Sequence, residues 1–273
     1  MSSALPVGIF DSGFGGLSVA RAIRAALPAE NLIFVADCAY APYGDRSEAY
    51  INDRLDRIAD FLLERRVKAI VIACNTATAV GAARLRERLP VPIVGIEPAV
   101  FPALRQTRTG RVGVLATSRT LTSAKYADVK ARALAWASVG RPMPVEVIDV
   151  PCPGLMDFVE RGEFDSPALH ALLERYVDPL AERGVDRIVL GCTHYPFLAE
   201  AISRHAPGAE LIDPAPAVAQ QLERRLAETD ATAPAGATGD VSFFASGADA
   251  AHDDVLRALW PAGEAVRFEP TAV

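Results

Sequence analysis

Short apolar runs and amphipathic stretches alternate along almost the whole chain. Val7–Phe10 is apolar and stops at Asp11-Ser12-Gly13, after which Ser18–Leu27 predicts a helix. Asn31–Ala36 is a second strand-like run. In Ser47–Glu64, Ile51, Leu55, Ile58 and Leu62 recur every three to four residues, the stripe of a helix with one buried face. Ala69–Ala73 is apolar throughout, as expected of a strand covered on both faces. Ala77–Leu89 predicts a helix and Ile93–Ile96 a strand. This βαβα order predicts a parallel sheet with helices on its faces.

The plan restarts at Arg111. Strands are predicted at Val112–Leu115, Val145–Val150, Arg187–Leu190 and Glu210–Ile212. Helices are predicted at Ser123–Trp136, Pro167–Arg183, Leu198–His205 and Val218–Glu228. Thr229–Thr238, rich in Ala, Thr, Pro and Gly, reads as a surface loop. Late strands at Val241–Ala245 and Ala265–Phe268 flank a helix at Asp253–Leu259. The fold class is therefore α/β, with two similar lobes, each a mostly parallel sheet flanked by helices.

An internal repeat supports two lobes. Glu64–Cys74 reads ERRVKAIVIAC and Glu182–Cys192 reads ERGVDRIVLGC, matching at six of eleven positions. Buried parallel strands resemble one another, which accounts for the Val and Ile matches. It does not account for a cysteine at the same strand end in both.

Composition narrows the class. The 273 residues are 51% hydrophobic and 23% charged, enough apolar material for one large or two modest cores. A net charge of -6 disfavours polyphosphate, so no nucleic-acid partner is expected. Met1–Pro6 lacks the pattern of a secretory leader, and no run approaches the roughly 20 apolar residues of a membrane span. A cytoplasmic protein without membrane contact is the simplest reading.

The four cysteines are Cys38, Cys74, Cys152 and Cys192, and none forms a C-x-x-C pair. Zinc-ribbon and thioredoxin-type sites therefore lack support, and no metal-ligand spacing is present. A lone cysteine is ordinarily a buried small hydrophobe. Cys74 and Cys192 depart from that default because each ends a buried run. Cys74 is followed by Asn75-Thr76-Ala77-Thr78 and Cys192 by Thr193-His194-Tyr195-Pro196. Ligands of open α/β sheets bind at the carboxyl ends of strands, and a thiol at a helix N-terminus has its pKa lowered. If the two halves face each other, the cysteines flank one cleft from opposite sides. A stereocentre held there could lose a proton to one thiol and gain one from the other, as a two-base racemase requires.

Other polar residues belong near the same strand ends. Asp11 and Ser12 close the first strand, and Gly13, Gly15 and Gly16 let backbone amides approach a carboxylate. That turn is also explained as a tight strand-to-helix connection. Pro42-Tyr43-Gly44 follows the second strand, and Thr117-Ser118 closes the first strand of the second half. Glu160 follows Pro151-Cys152-Pro153, and His194 adjoins Cys192. Alone, each has an ordinary surface or capping explanation. Cys38 reads as structural; Cys152 is left open.

At these residues the sequence resembles the glutamate racemases of the aspartate/glutamate racemase family. The motifs are FDSGFGGLS at Phe10–Ser18, APYGDRS at Ala41–Ser47, ACNTATA at Ala73–Ala79 and GCTHYPFL at Gly191–Leu198, in that order along the chain. The resemblance implies two α/β lobes with the active site between them. It places lobe A at 1–98 plus 212–273 and lobe B at 99–211. It implies Cys74 and Cys192 as the acid/base pair, Asp11 supporting Cys74, and Glu160 and His194 supporting Cys192. It implies that Asp11, Ser12, Tyr43, Gly44, Asn75, Thr76, Thr193 and His194 hold the amino acid; Thr117 joins them as a donor to its carboxylate. Where the family usually carries a proline before the supporting glutamate, this chain has Asp157. A role in supplying D-glutamate for peptidoglycan follows from the resemblance alone.

The weakly acidic α-proton of an amino acid is commonly labilised by pyridoxal phosphate, which needs a Schiff-base lysine. The chain has Lys68, Lys125 and Lys130, none at a predicted strand end beside the motifs, so no cofactor is expected. Aspartate racemisation is the nearest alternative activity. A cysteine hydrolase or acyltransferase using Cys192 and His194 is another, and a two-lobed binding module a third. A small molecule, glutamate, is the expected partner; a homodimer is compatible with a sequence that does not itself give the oligomeric state.

Overall fold

The computed structural model describes residues 3–139, 144–234, 236–260, 266–271 and 273. The chain runs β1 (Val7–Asp11), α1 (Leu17–Ala26), β2 (Leu32–Ala36), α2 (Glu48–Glu64), β3 (Ala69–Ile72), α3 (Asn75–Arg88) and β4 (Ile93–Gly95). It continues through α4 (Val100–Gln106), β5 (Arg111–Ala116), α5 (Ser118–Thr122), α6 (Ala124–Ser138), β6 (Glu146–Pro151) and α7 (Leu155–Glu160). Then come α8 (Pro167–Tyr176), α9 (Asp178–Glu182), β7 (Arg187–Leu190), α10 (Ala199–His205) and β8 (Glu210–Ile212). It closes with α11 (Ala215–Glu228), β9 (Val241–Ser246), α12 (Ala250–Leu259) and β10 (Phe268–Thr271). The chain divides into two compact units, Met1–Ile96 with Ala215–Val273, and Glu97–Pro214.

The first unit holds a six-stranded sheet in the order β10-β9-β2-β1-β3-β4, every pair parallel. Every residue of β1, β2 and β3 is buried, which explains why these strands are apolar without alternation. The second unit holds a four-stranded parallel sheet in the order β6-β5-β7-β8.

The internal repeat has a topological counterpart. The order β2-β1-β3-β4 is that of β6-β5-β7-β8, so β3 and β7 occupy equivalent places. The helix-to-strand connections match as well. Val67 N–H bonds to Leu62 O and Arg66 N–H to Leu63 O; Val185 N–H bonds to Leu180 O and Gly184 N–H to Ala181 O. Both are the paired bonds of a Schellman cap, and both put a residue in the left-handed region, Arg66 at φ 57° and Gly184 at φ 71°.

Both units also anchor a buried charge at the foot of the equivalent strand. Lys68 is buried, pairs with Glu30 at 2.5 Å and donates to Ser3 O and Ala231 O. At the aligned position, Asp186 accepts from Thr107 Oγ1 and from the backbone N–H of Arg108. Burial pushes the Asp186 carboxyl up, but these hydrogen bonds outweigh it and its pKa lies below the usual value. Lys68 is thus at the opposite end of β3 from Cys74.

Several boundaries differ from the sequence expectation. The helix predicted over Pro167–Arg183 is two, because Pro179 has no N–H to continue the ladder from α8. α5 and α7 are too short to show a periodic stripe, and α4 carries Pro102 within its seven residues, so the sequence predicts none of the three. The last strand is Phe268–Thr271, later than predicted, and Ala265 lies outside the described residues. Among the described residues no helix is long and apolar enough to cross a membrane.

Candidate active-site residues in the two units

In the first unit the polar residues collect at the carboxyl ends of β1 and β3. Cys74 caps α3, with extended backbone at φ -71° and ψ 123°, and its sulfur accepts the Ala77 N–H at 3.4 Å. Sulfur stands where a serine or aspartate oxygen usually caps. The helix end and the amide aimed at the sulfur place partial positive charge beside it. Ser12 Oγ lies 3.7 Å from Cys74 Sγ. Capping by Cys74 starts α3 at Asn75, two residues before the predicted start, so Asn75 and Thr76 occupy its first turn.

Asp11 is wholly buried at the end of β1, and its Oδ2 accepts the Gly16 N–H at 2.7 Å. A Cβ at position 16 would lie 2.5 Å from Asp11 Cβ, so only glycine brings that amide in. The carboxylate met by this part of the glycine-rich turn is therefore Asp11's own. Asn75 is 5% exposed, and neither polar atom of its side chain has a hydrogen-bond partner among the described residues. Buried amides are nearly always satisfied, so this side chain is suited to bind a polar ligand.

Tyr43 is also buried, and its hydroxyl donates to Asp37 Oδ2 at 2.5 Å. Burial first, then the Asp37 carboxylate and the Cys74 sulfur, hold its pKa well above the usual tyrosine value. It is a neutral donor at any physiological pH. Gly44 follows it, half-buried. Asp37, with Arg54 and Ser246 around it, carried no motif and was missed. Its one sequence signal is positional: an acid directly follows apolar β2, as Asp11 closes β1.

In the second unit Cys192 follows β7, but its setting differs from the expectation. Residues 192–194 form a bend and turn, a 3₁₀ turn covers Tyr195–Leu198, and α10 begins only at Ala199. Cys192 thus lacks the helix N-terminus that Cys74 has. Its neighbour is an imidazole: Cys192 Sγ lies 3.5 Å from His194 Nδ1, and Thr193 Oγ1 lies 3.5 Å from the same nitrogen. His194 Nε2 lies 2.6 Å from Glu160 Oε1, the last residue of α7. Burial disfavours charge on His194, yet the Cys192 sulfur and the Glu160 carboxylate outweigh burial and hold its pKa well above the usual value. The three groups form a chain of sulfur, imidazole and carboxylate.

Gly191 lets Cys192 enter this position, since a Cβ there would lie 2.8 Å from Leu115 O and 2.9 Å from Ala116 Cβ. Thr117 caps α5, its Oγ1 accepting the Thr120 N–H at 3.3 Å. Cys152 donates to Val150 O at 3.3 Å; burial, then the neighbouring Cys192, pushes its pKa up to about 12, so it stays a neutral thiol. Cys38 is half-buried beside Asp37. No group of three or more His, Cys, Asp or Glu that could hold a metal occurs among the described residues.

A family model described as Asp/Glu/Hydantoin racemase matches residues 15–222. Glutamate racemase of Pseudomonas paraeruginosa is 49% identical over 267 residues, 97% of either chain. Among solved structures, glutamate racemase from Thermus thermophilus in complex with β-chloro-D-alanine superposes with a TM-score of 0.81 at 33% identity, over 99% of this chain and 98% of that one. Escherichia coli glutamate racemase in complex with L-glutamate and the activator UDP-MurNAc-Ala gives 0.80 at 32% identity, over 93% and 95%.

Proposed function

Because the chain belongs to the Asp/Glu/Hydantoin racemase family, we propose that it interconverts L- and D-glutamate by proton transfer between Cys74 and Cys192. The observation that carries this reading is the equivalence of β3 and β7, each ending in a buried cysteine with an acid/base or amide partner. Glutamate as substrate is supported by the whole-length similarity to glutamate racemases and by the L-glutamate bound in the Escherichia coli enzyme.

In the D-to-L direction the Cys74 thiolate takes the α-proton. The electron pair of the Cα–H bond passes into the carboxylate, and the Cys192 thiol delivers its own proton to the opposite face. The reverse direction exchanges the roles. Each turnover leaves the two sulfurs with their protonation states swapped, and the enzyme resets when they trade that proton back. The weak acidity of the α-proton makes stabilisation of the developing carboxylate charge decisive. Asn75, Thr76 and Ser12 supply neutral donors on one unit and Thr193 on the other, where the Thr117 hydroxyl, which donates to Thr120 Oγ1 at 3.0 Å, joins them by turning from that partner. Asp11, near the Cys74 side, and the His194–Glu160 pair, on the Cys192 side, govern how readily each sulfur changes state. A supply of D-glutamate for peptidoglycan, in the cytoplasm, is the cellular role that fits this activity.

The test is racemisation in D₂O. The unaltered enzyme should place solvent deuterium at Cα and equilibrate both enantiomers. Cys74→Ser and Cys192→Ser should each abolish racemisation while keeping the far-ultraviolet dichroism of a folded chain; racemisation by either variant defeats the two-thiol reading. One feature favours a second reading: Cys192, His194 and Glu160 stand in the order of a nucleophile, base and orienting acid. An acyl-enzyme burst with an activated ester, surviving Cys74→Ser, would establish that hydrolase reading instead.

A further inference from the structure

We propose that Arg54 and Ser246 are positioning residues for the Tyr43–Gly44 segment, acting through Asp37, so that β9 fixes one wall of the amino-acid site. The inference rests on the glutamate reading for its kinetic test but on geometry for its substance.

Asp37 is wholly buried, and four donor bonds converge on it. Tyr43 OH reaches Oδ2 at 2.5 Å and Arg54 Nε the same oxygen at 2.9 Å. Arg54 Nη2 and Ser246 Oγ reach Oδ1, each at 2.9 Å. Ser246 Oγ also accepts the Ala39 N–H at 3.1 Å, so one hydroxyl at the end of β9 ties both the acid and the backbone that follows it. Arg54 is held in turn: its guanidinium lies 3.5 Å from the Tyr40 ring centroid, and Nη2 reaches the backbone oxygen of Val273 at 2.5 Å.

A buried ion pair is a poor device for stability alone, because apolar residues of the same volume often do as well. What a bidentate guanidinium and a hydroxyl add is direction. Here the direction is given to Tyr43, whose phenol feels the Cys74 sulfur. Beyond Ala36 the chain leaves β2, and residues 37–44 rely on turns and on this network for their course. A loop held this way contributes equally to ground-state and transition-state binding, so its loosening should appear in KM.

The test compares Ser246→Ala, Ser246→Thr and Arg54→Lys. Ser246→Ala and Arg54→Lys should raise KM for D-glutamate by ~10-fold while kcat falls by less than ~3-fold. Ser246→Thr, which keeps the hydroxyl, should restore KM to within ~2-fold of the unaltered enzyme. Lower melting temperatures with unchanged KM in both disruptive variants would overturn the proposal, leaving the network only a tie between β9 and β2. Hydrogen exchange of the 39–46 amides, measured without substrate, should accelerate ~10-fold in Ser246→Ala. Unchanged protection there overturns the proposal whatever the substrate is. An unaltered enzyme that leaves glutamate untouched counts against the glutamate reading, and the exchange result then decides this one alone.

Discussion

Replacing Glu160 by Gln removes one of the two influences that hold the His194 pKa up, leaving the larger one, the Cys192 sulfur, in place. Gln keeps an oxygen able to accept the Nε2–H that now meets Glu160 at 2.6 Å, so geometry is preserved and the negative charge is lost. The His194 side chain is 2% exposed and Glu160 21%, so water screens the pair little. A hydrogen bond to a charged group contributes about 1.5–3 kcal/mol and a neutral one about 0.5–1.5, so the substitution removes about 1–1.5 kcal/mol, or roughly 5- to 12-fold in rate. Polarimetric racemisation measured from each enantiomer should show kcat/KM reduced ~10-fold, equally in both directions, because the enantiomers of glutamate have the same free energy.

The pH dependence has a definite sign. His194 is raised in the folded chain, so the alkaline limb that it governs should move to lower pH in Glu160→Gln. For stability, a raised group contributes fully below its unfolded value of about 6.5 and loses the contribution as pH climbs through the folded value. The melting-temperature gap between the unaltered enzyme and Glu160→Gln should therefore be widest near pH ~6 and close at alkaline pH. A kcat/KM within ~2-fold of the unaltered enzyme, together with an unmoved alkaline limb, would refute the role given to this ion pair.

Asn75→Ala removes a buried amide with no partner among the described residues, so it should leave stability unchanged or raise it by ~1 kcal/mol while increasing KM at least ~10-fold. Calorimetry and initial rates check the two halves separately, and a destabilised variant would show that the amide is already satisfied. Lys68→Met strands Glu30 in the first unit's floor and should cost about 3–5 kcal/mol, lowering the melting temperature by roughly 10 °C. Pairing it with Glu30→Gln should recover much of that loss. Gly191→Ala drives a Cβ against Leu115 O and should cost about 1–3 kcal/mol, with thiol titration reporting a displaced Cys192.

Most of the strand and helix order was legible because each segment is stabilised by burial of a face whose period the sequence carries. β7 and β8 coincide with their predicted spans, and α2 begins one residue after its predicted start because Ser47 caps it. α5 and α7 were not legible, being too short to complete the stripe that marks a helix, and α4 was not because Pro102 interrupts its seven residues. Cys74 and Cys192 were legible as strand-end cysteines, and so were their polar neighbours. The family resemblance also placed His194 beside Cys192, but the loss of a helix N-terminus there was not legible. Pro196 and the turn at 192–194 delay α10, so one sulfur receives a helix amide and the other an imidazole.

The sequence by itself determined the alternation of strands and helices, the doubled window ending in cysteine, and the family to which the motifs belong. All three are local, since a strand's burial, a repeat or a motif is written in consecutive residues. Tertiary structure alone decided which side chains separated in sequence share one hydrogen bond. Glu160 and His194 are 34 residues apart, and Asp37 and Ser246 are 209 apart. Such contacts depend on strand order and register, which non-local burial selects, and no stretch of neighbouring residues encodes them.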